Sequence, residues 1–123
     1  MDNLSYSALV RERFEKPGNA GRLLGDVVTG MAGEKAHGAR VEFDFRLREG
    51  RVERARFRAY GCPHTIAAAS WVAEQAEGRD LEEKGWLDPH ALADVLELPE
   101  HKLGVLLVVE DALRDATSKA LRI

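Results

Sequence analysis

Cys62 is the only cysteine of the chain, and its position predicts a reactive thiol. It lies in residues 60–66, Tyr-Gly-Cys-Pro-His-Thr-Ile, where a strand pattern gives way to a helical one. Backbone N–H groups and the positive end of the helix dipole favour a thiolate at such a helix start. A thiolate can bind a metal, accept sulfur or attack an electrophile. Most chemistry of this kind uses two or three cysteines, so a lone thiolate needs partners.

The composition is that of a single globular domain covering residues 1–123. The chain is 45% hydrophobic and 32% charged, which is ordinary for a folded protein. Its net charge of -3 argues against nucleic acid or an anionic membrane as the main partner. The longest apolar run is too short to cross a bilayer, and the first residues do not resemble a signal peptide. A single cysteine excludes an internal disulfide, so we expect a cytoplasmic protein.

Two adjoining segments predict a β-hairpin. Apolar and charged residues alternate from Val41 to Leu47, and again from Arg54 to Ala59. Glu49-Gly50 supplies the turn between them. Val52 is out of phase with the second segment, which indicates either a longer loop or a bulge near Glu53. We expect the outward arginines at 54, 56 and 58 to form exposed cross-strand pairs with Glu42 and Asp44 on a solvated face.

Helical patterns surround this hairpin. The spacing of apolar residues predicts a short helix from Tyr6 to Phe14, and residues 25–40 predict a short extended piece followed by a loop. After the hairpin we predict a helix from Pro63 to Gly78, a turn or short helix at 81–86, a helix capped by Asp88 that ends at Leu96, and a last helix from Leu103 to Leu121. This order predicts an α+β fold, in which several helices cover one face of a small antiparallel sheet.

Several blocks of the sequence, in order, resemble the NifU/IscU-type scaffold family of iron–sulfur cluster assembly. The resemblance covers nearly the whole chain and implies the fold known as SufE/NifU-like, with three antiparallel strands packed by helices. It also implies transient cluster assembly on three cysteines, with a cysteine desulfurase as sulfur donor. The matching blocks are Tyr6, Lys16-Pro17-Gly18-Asn19, Thr29-Gly30-Met31-Ala32-Gly33, Ala55-Arg56-Phe57-Arg58-Ala59-Tyr60-Gly61-Cys62, Ala67-Ala68-Ala69-Ser70, Leu98-Pro99, Lys102 and Glu110-Asp111-Ala112.

The chain departs from the family at the cluster ligands. The resemblance places the first family cysteine at His37 and the family aspartate at Ala39. It places the second cysteine at Cys62, which is kept, and a His-Cys pair at Gly104-Val105. Two of the three thiolates are therefore replaced. Lys102 matches a family lysine near the cluster pocket, so the resemblance implies a cofactor-binding role for it.

Imidazoles are the available replacements for the missing thiolates. Histidine can replace some cysteine ligands of an iron–sulfur cluster, and a mixed sulfur and imidazole set also suits Zn²⁺. We therefore predict a metal site of Cys62, His37 and His64, with His101 as a less favoured fourth member. The alternative is that these histidines are surface residues and that Cys62 is a small packing residue. His90 is expected to face solvent.

Three functions remain open from the sequence. The first is a scaffold-like protein with a reduced site that binds iron, zinc or a cluster weakly, or only with a partner. The second is a single-cysteine persulfide acceptor that resembles SufE, because a lone accessible thiolate suffices to receive sulfur. The third is a binding module that keeps the surface for assembly partners without the chemistry. All three predict a non-enzymatic protein that binds a cysteine desulfurase and other assembly proteins.

Overall fold

The computed structural model describes residues 6–122, which form an α+β fold. One antiparallel sheet with the strand order β1-β2-β3 carries the helices on its inner face. The fold class predicted from the sequence is confirmed. No helix within residues 6–122 is both long and apolar enough to span a bilayer. The elements are α1 (Ala8–Glu15), β1 (Val28–Glu34), β2 (Ala39–Arg48), β3 (Arg51–Tyr60), α2 (Pro63–Ala76), α3 (Pro89–Leu96) and α4 (Leu103–Leu121), with single 3-10 turns at Lys35–His37 and Glu100–Lys102.

A β-bulge in the β2–β3 hairpin explains why Val52 breaks the alternation of apolar and charged residues in β3. Glu49 and Gly50 both have positive φ, as a tight two-residue hairpin turn requires. The register pairs Arg46 with Arg54 but Leu47 with Val52, so Glu53 has no partner in the ladder. The extra residue returns Val52 to the inner face, where it is buried.

The inner face of the sheet is covered by α2 on the β3 side and by α4 on the β1 side. The contact with β1 is close, because a Cβ at Gly30 would lie 2.1 Å from the backbone nitrogen of Ala116 in α4. Only glycine fits at this point of β1. Small residues line the buried side of α2, which lets that helix also pack closely on the sheet. They are Ala67, Ala68, Ala69, Ala73 and Ala76.

The outer face of the sheet carries the predicted pairs of Arg58 with Glu42 and Asp44, but part of this face is covered rather than solvated. Residues 19–24, which we call the strap, run along the free edge of β3 and then across this face. Gly21 donates its N–H to Phe57 O at 2.9 Å, and Leu23 donates its N–H to Asp44 Oδ2 at 3.1 Å. Further along, Arg46 donates to Leu24 O. Asp44 is consequently only 3% exposed, so the expectation of a solvated carboxylate is wrong.

Asp44 is the centre of a charged network beneath the strap. Both of its oxygens accept hydrogen bonds from Arg58 at 2.9 Å, and Oδ1 also accepts from the Thr29 hydroxyl at 2.8 Å. Arg58 donates in addition to Glu42 at 3.1 Å. Burial acts to raise the pKa of Asp44, but the hydrogen bonds from Arg58, Thr29 and Leu23 outweigh it and lower that pKa. The folded protein therefore stabilises the ionised form of Asp44.

We expect Asp44→Asn to reduce the free energy of unfolding at neutral pH by about 1–3 kcal/mol, because charge-assisted hydrogen bonds are lost in a buried place. The pKa of Asp44 is lower in the folded protein than in the unfolded chain, where it is about 3.9. The ionised carboxylate therefore stabilises the fold at pH values above about 3.9, and this stabilisation is lost as the pH falls through the pKa of the folded state. Urea unfolding at several pH values should therefore show the difference between wild type and Asp44→Asn shrinking in acid. Exposed Asp111→Asn is the matched control. A difference independent of pH would contradict this account.

Candidate functional site

Cys62 lies at the junction between β3 and α2, as the sequence predicts. β3 ends at Tyr60, and Cys62 is the N-cap residue of α2 with extended backbone angles (φ -73°, ψ 170°). Its carbonyl accepts the first helical hydrogen bond from Ile66 at 3.2 Å. Pro63 occupies the first helical position, where no N–H is needed. The Cys62 residue is partly exposed, so a reagent or partner can reach it.

Thr65 lies directly beneath this thiol. Its hydroxyl is 3.6 Å from Cys62 Sγ, and the residue is fully buried. A Cβ at Gly61 would lie 2.7 Å from Thr65 Oγ1, so the glycine leaves the room that the threonine occupies. Sequence reasoning missed Thr65 as a site residue. The signal was present in the three-residue spacing from the N-cap, which places the two side chains on the same side of the first helical turn.

The surroundings of Cys62 favour its ionised form. Burial acts to raise the pKa of this thiol, but several groups outweigh burial and lower the pKa below its usual value. These groups are the backbone N–H and hydroxyl of Thr65, the backbone N–H of His64 and the charge of Lys102. The first-turn N–H groups are the helix-start effect that the sequence predicts. The charge of Lys102 acts on Cys62 from a separate element, the 3-10 turn before α4.

His64 is buried next to Cys62 rather than presented on the surface. The residue is 3% exposed, and its ring packs against Tyr6 with 4.7 Å between centroids. Its Nδ1 is buried with no hydrogen-bond partner among residues 6–122. Burial lowers the pKa of His64, and the nearby charges of Lys102 and His101 lower it further. These surroundings therefore favour the neutral form of the imidazole.

His37 is exposed to solvent, in contrast to the buried His64. It ends the 3-10 turn after β1, and its side chain is 80% exposed. Its nearest charged neighbour is Glu34, whose Oε2 lies 3.9 Å from Nδ1. His101 and His90 are exposed as well. Across the described residues 6–122, no group of three or more His, Cys, Asp or Glu side chains could hold a metal ion. The predicted set of Cys62, His37 and His64 is thus not assembled in the structure.

The start of α4 offers space where the resemblance places the missing ligands. A Cβ at Gly104 would meet no atom within 4 Å, and Val105 is partly exposed. Neither side chain can bind a metal. The structure thus combines one activated thiol, a cation close to it, and an open surface at the position of the absent His-Cys pair.

Comparison with known proteins gives a consistent result. The family model of the NifU-like N terminal domain matches residues 5–122. The iron-sulfur cluster assembly scaffold protein IscU of Haemophilus influenzae is 35% identical over 117 residues, which cover 92% of this chain and 93% of that protein. IscU of Azotobacter vinelandii is 36% identical, with 92% and 91% covered. The fold resembles that of a protein from Fervidobacterium islandicum described as an assembly scaffold for the SUF system, with a TM-score of 0.73 at 15% identity over 95% of this chain and 99% of that one.

We expect Cys62 to react with iodoacetamide faster at neutral pH than an unstructured cysteine, because its thiolate is stabilised. Lys102→Gln should slow this reaction roughly twofold to fivefold and move the midpoint of the pH–rate curve upward, since the charge of this partly exposed lysine contributes about 0.2–1 kcal/mol. Lys84→Gln, which removes a cation from the 81–87 loop, is the matched control. Equal rates and midpoints in the Lys102 and Lys84 variants would show that Lys102 does not act on the thiol.

Proposed function

The chain belongs to the NifU-like N-terminal domain family, and from this premise we propose that it is a scaffold-type protein of iron–sulfur cluster assembly whose chemistry is centred on Cys62. Its relatives are named scaffold proteins, and its fold is that of a scaffold rather than of a catalytic enzyme. The observation that carries the proposal is the placement of Cys62 on this fold. The thiol is partly exposed at the start of α2, and its pKa is lowered by first-turn N–H groups and Lys102.

The cluster, or the iron that forms it, is the cargo of this protein, and the chain supplies only part of its ligand set. An iron–sulfur cluster commonly takes four protein ligands, most often thiolates. Residues 6–122 contain one thiol and no ready group of three ligands. We infer that Cys62 is the thiolate ligand from this chain, with exposed His37 as the candidate second ligand. His64 has a packing role against Tyr6.

The remaining ligands would come from a partner. We propose a cysteine desulfurase and other assembly proteins as the partners, because the relatives assemble iron–sulfur clusters by name. Lys102 would balance the negative charge of a thiolate-bound cluster in the shared site. Zn²⁺ is the alternative metal, since sulfur and imidazole ligands suit its tetrahedral geometry. The cytoplasm, where thiols are kept reduced, is the expected compartment.

Anaerobic reconstitution tests whether the site is shared. With Fe²⁺, cysteine, a desulfurase and dithiothreitol as the reductant that converts persulfide sulfur to sulfide, we expect iron and sulfide to co-elute with a complex of the two proteins, and Cys62→Ser to abolish this. The chain alone should lose bound iron on desalting.

A variant with His37→Cys, Ala39→Asp, Gly104→His and Val105→Cys should hold a cluster by itself, because the open surface at Gly104 accepts a side chain. The visible absorption and the iron content of this variant measure how much cluster it binds.

Two results would contradict the shared site. Tight cluster binding by the unmodified chain alone would show that it already has a full ligand set. Iron retention in the complex that does not depend on Cys62 would show that this thiol is not a ligand.

Transfer of sulfur to Cys62 is a second candidate function, favoured by an accessible, ionisable thiol without a second cysteine. The Cys62 thiolate would attack the outer sulfur of a persulfide on the desulfurase. A new S–S bond forms at Cys62 as the donor's S–S bond breaks, and the donor cysteine leaves as a thiolate. No external oxidant is required, because the sulfur is transferred at its existing oxidation level.

Mass spectrometry tests this step. After incubation with a desulfurase and cysteine, we expect the chain to gain the mass of one sulfur atom, and dithiothreitol to remove it. Cys62→Ser should gain no mass, whereas His37→Ala should gain the same mass as wild type, since a persulfide acceptor needs no metal ligand. If neither wild type nor His37→Ala gains mass while the complex with the desulfurase still binds iron, Cys62 acts only as a metal ligand.

A further inference from the structure

The buried hydroxyl of Thr65 is directed at the sulfur of Cys62. Its Oγ1 lies 3.6 Å from Cys62 Sγ, which is within hydrogen-bond range for the large sulfur atom. Thr65 is 0% exposed, and the Cys62 sulfur is the hydrogen-bond partner of its hydroxyl within residues 6–122. Buried polar groups in folded proteins are seldom left without a partner. The contact with Sγ is therefore one that the fold maintains.

The direction of this hydrogen bond depends on the charge of the sulfur. While Cys62 is a neutral thiol, either Sγ or the Thr65 oxygen can be the donor. A thiolate has no proton to give, so the Thr65 hydroxyl must donate once Cys62 is ionised. The thiolate is also the form of cysteine that attacks sulfur or binds a metal. The hydroxyl thus contacts Cys62 as a donor in the state on which the chemistry of this thiol depends.

Two features fix the direction of the Thr65 side chain. Threonine is branched at Cβ, so its χ1 angle has few allowed values in a helix. The side chain also fills the space that Gly61 leaves, since a Cβ at Gly61 would lie 2.7 Å from Oγ1, 2.8 Å from Cβ and 3.0 Å from Cγ2 of Thr65. Packing therefore holds the Thr65 oxygen on the side of the helix where Cys62 lies.

We propose that Thr65 is a positioning residue for Cys62, whose hydroxyl donates to the sulfur and holds the thiolate in the orientation from which it reacts. This inference rests on the proposed function, in which Cys62 is the reacting group of the chain. In sulfur transfer the oriented Sγ bonds to the outer sulfur of the donor persulfide, the donor's S–S bond breaks, and the donor cysteine leaves as a thiolate. Thr65 acts through Sγ and does not itself react.

NMR of the full chain tests whether Thr65 orients the sulfur. Three-bond couplings across χ1 of Cys62 should indicate one rotamer in wild type and an average over rotamers in Thr65→Val, which keeps a similar shape but loses the hydroxyl. Thr65→Ser keeps the hydroxyl and should retain the single rotamer. Ser70→Ala is the matched control, because it removes another fully buried hydroxyl of α2, one that donates to Gly18 O at 2.8 Å. It should leave the couplings of Cys62 unchanged.

Exchange with a small aromatic disulfide measures the consequence for reactivity without a desulfurase. At neutral pH, Thr65→Val should react roughly twofold to fivefold more slowly than wild type, because losing one net hydrogen bond lowers the thiolate fraction more than it raises the nucleophilicity of the remaining thiolate. Thr65→Ser and Ser70→Ala should react at nearly the wild-type rate.

A single Cys62 rotamer in Thr65→Val, or an exchange rate equal to that of wild type, would overturn the proposal. Equal effects of Thr65→Val and Ser70→Ala would also overturn it, because any lost hydroxyl of α2 would then suffice. These measurements use the chain alone, so they can support the role of Thr65 even if Cys62 gains no sulfur from a desulfurase and binds no iron. That last result would count against the proposed function and not against the positioning of the thiol.

Discussion

The close approach of α4 to β1 is the constraint on which the site depends. Because Gly30 has no side chain, the backbone of α4 at Ala116 can lie against the strand. The start of the same helix then brings Lys102 to the N-terminus of α2, where its charge acts on both Cys62 and His64. Residues forty positions apart in sequence thus share one electrostatic environment. A bulkier residue at 30 would move the helix, and with it the cation that helps to hold Cys62 ionised.

The sequence predicts those parts of the fold that follow local rules. Alternation identifies β2 and β3, and Asp88 and Pro89 mark the start of α3. The phase of Val52 indicates either a longer loop or a bulge, and the structure shows the bulge at Glu53. The burial of Asp44 could not be read in this way, because alternation reports only which face of a strand a residue occupies. The strap that covers that face comes from residues twenty positions earlier and carries no strand periodicity.

The same limit applies to the site. A helix-start cysteine is recognisable from its local sequence, and the structure places Cys62 as expected. The neighbours of His64 are not recognisable, since Tyr6 reaches its ring from a distant part of the chain. His37 is three residues beyond a strand, and its side chain is 80% exposed with one long contact to Glu34, so little in the local sequence fixes the direction of that side chain. The helix-start thiol can be read from the local sequence, whereas the approach of Lys102 and the separation of the two imidazoles are tertiary properties.

The strap and its neighbours have a consequence for association between copies of the chain. The outward N–H and C=O groups of an edge strand can pair with another molecule and begin aggregation. In β3 these backbone groups already form hydrogen bonds within the chain. Those of Val52 bond to Gly78 and Arg79, and those of Ala55 bond to the side chains of Glu77 and Asn19. Those of Phe57 bond to the backbone of Asn19 and Gly21. The edge of β3 from Val52 to Phe57 therefore has no free ladder to offer. A second copy of the chain therefore cannot extend the sheet by pairing with this part of β3.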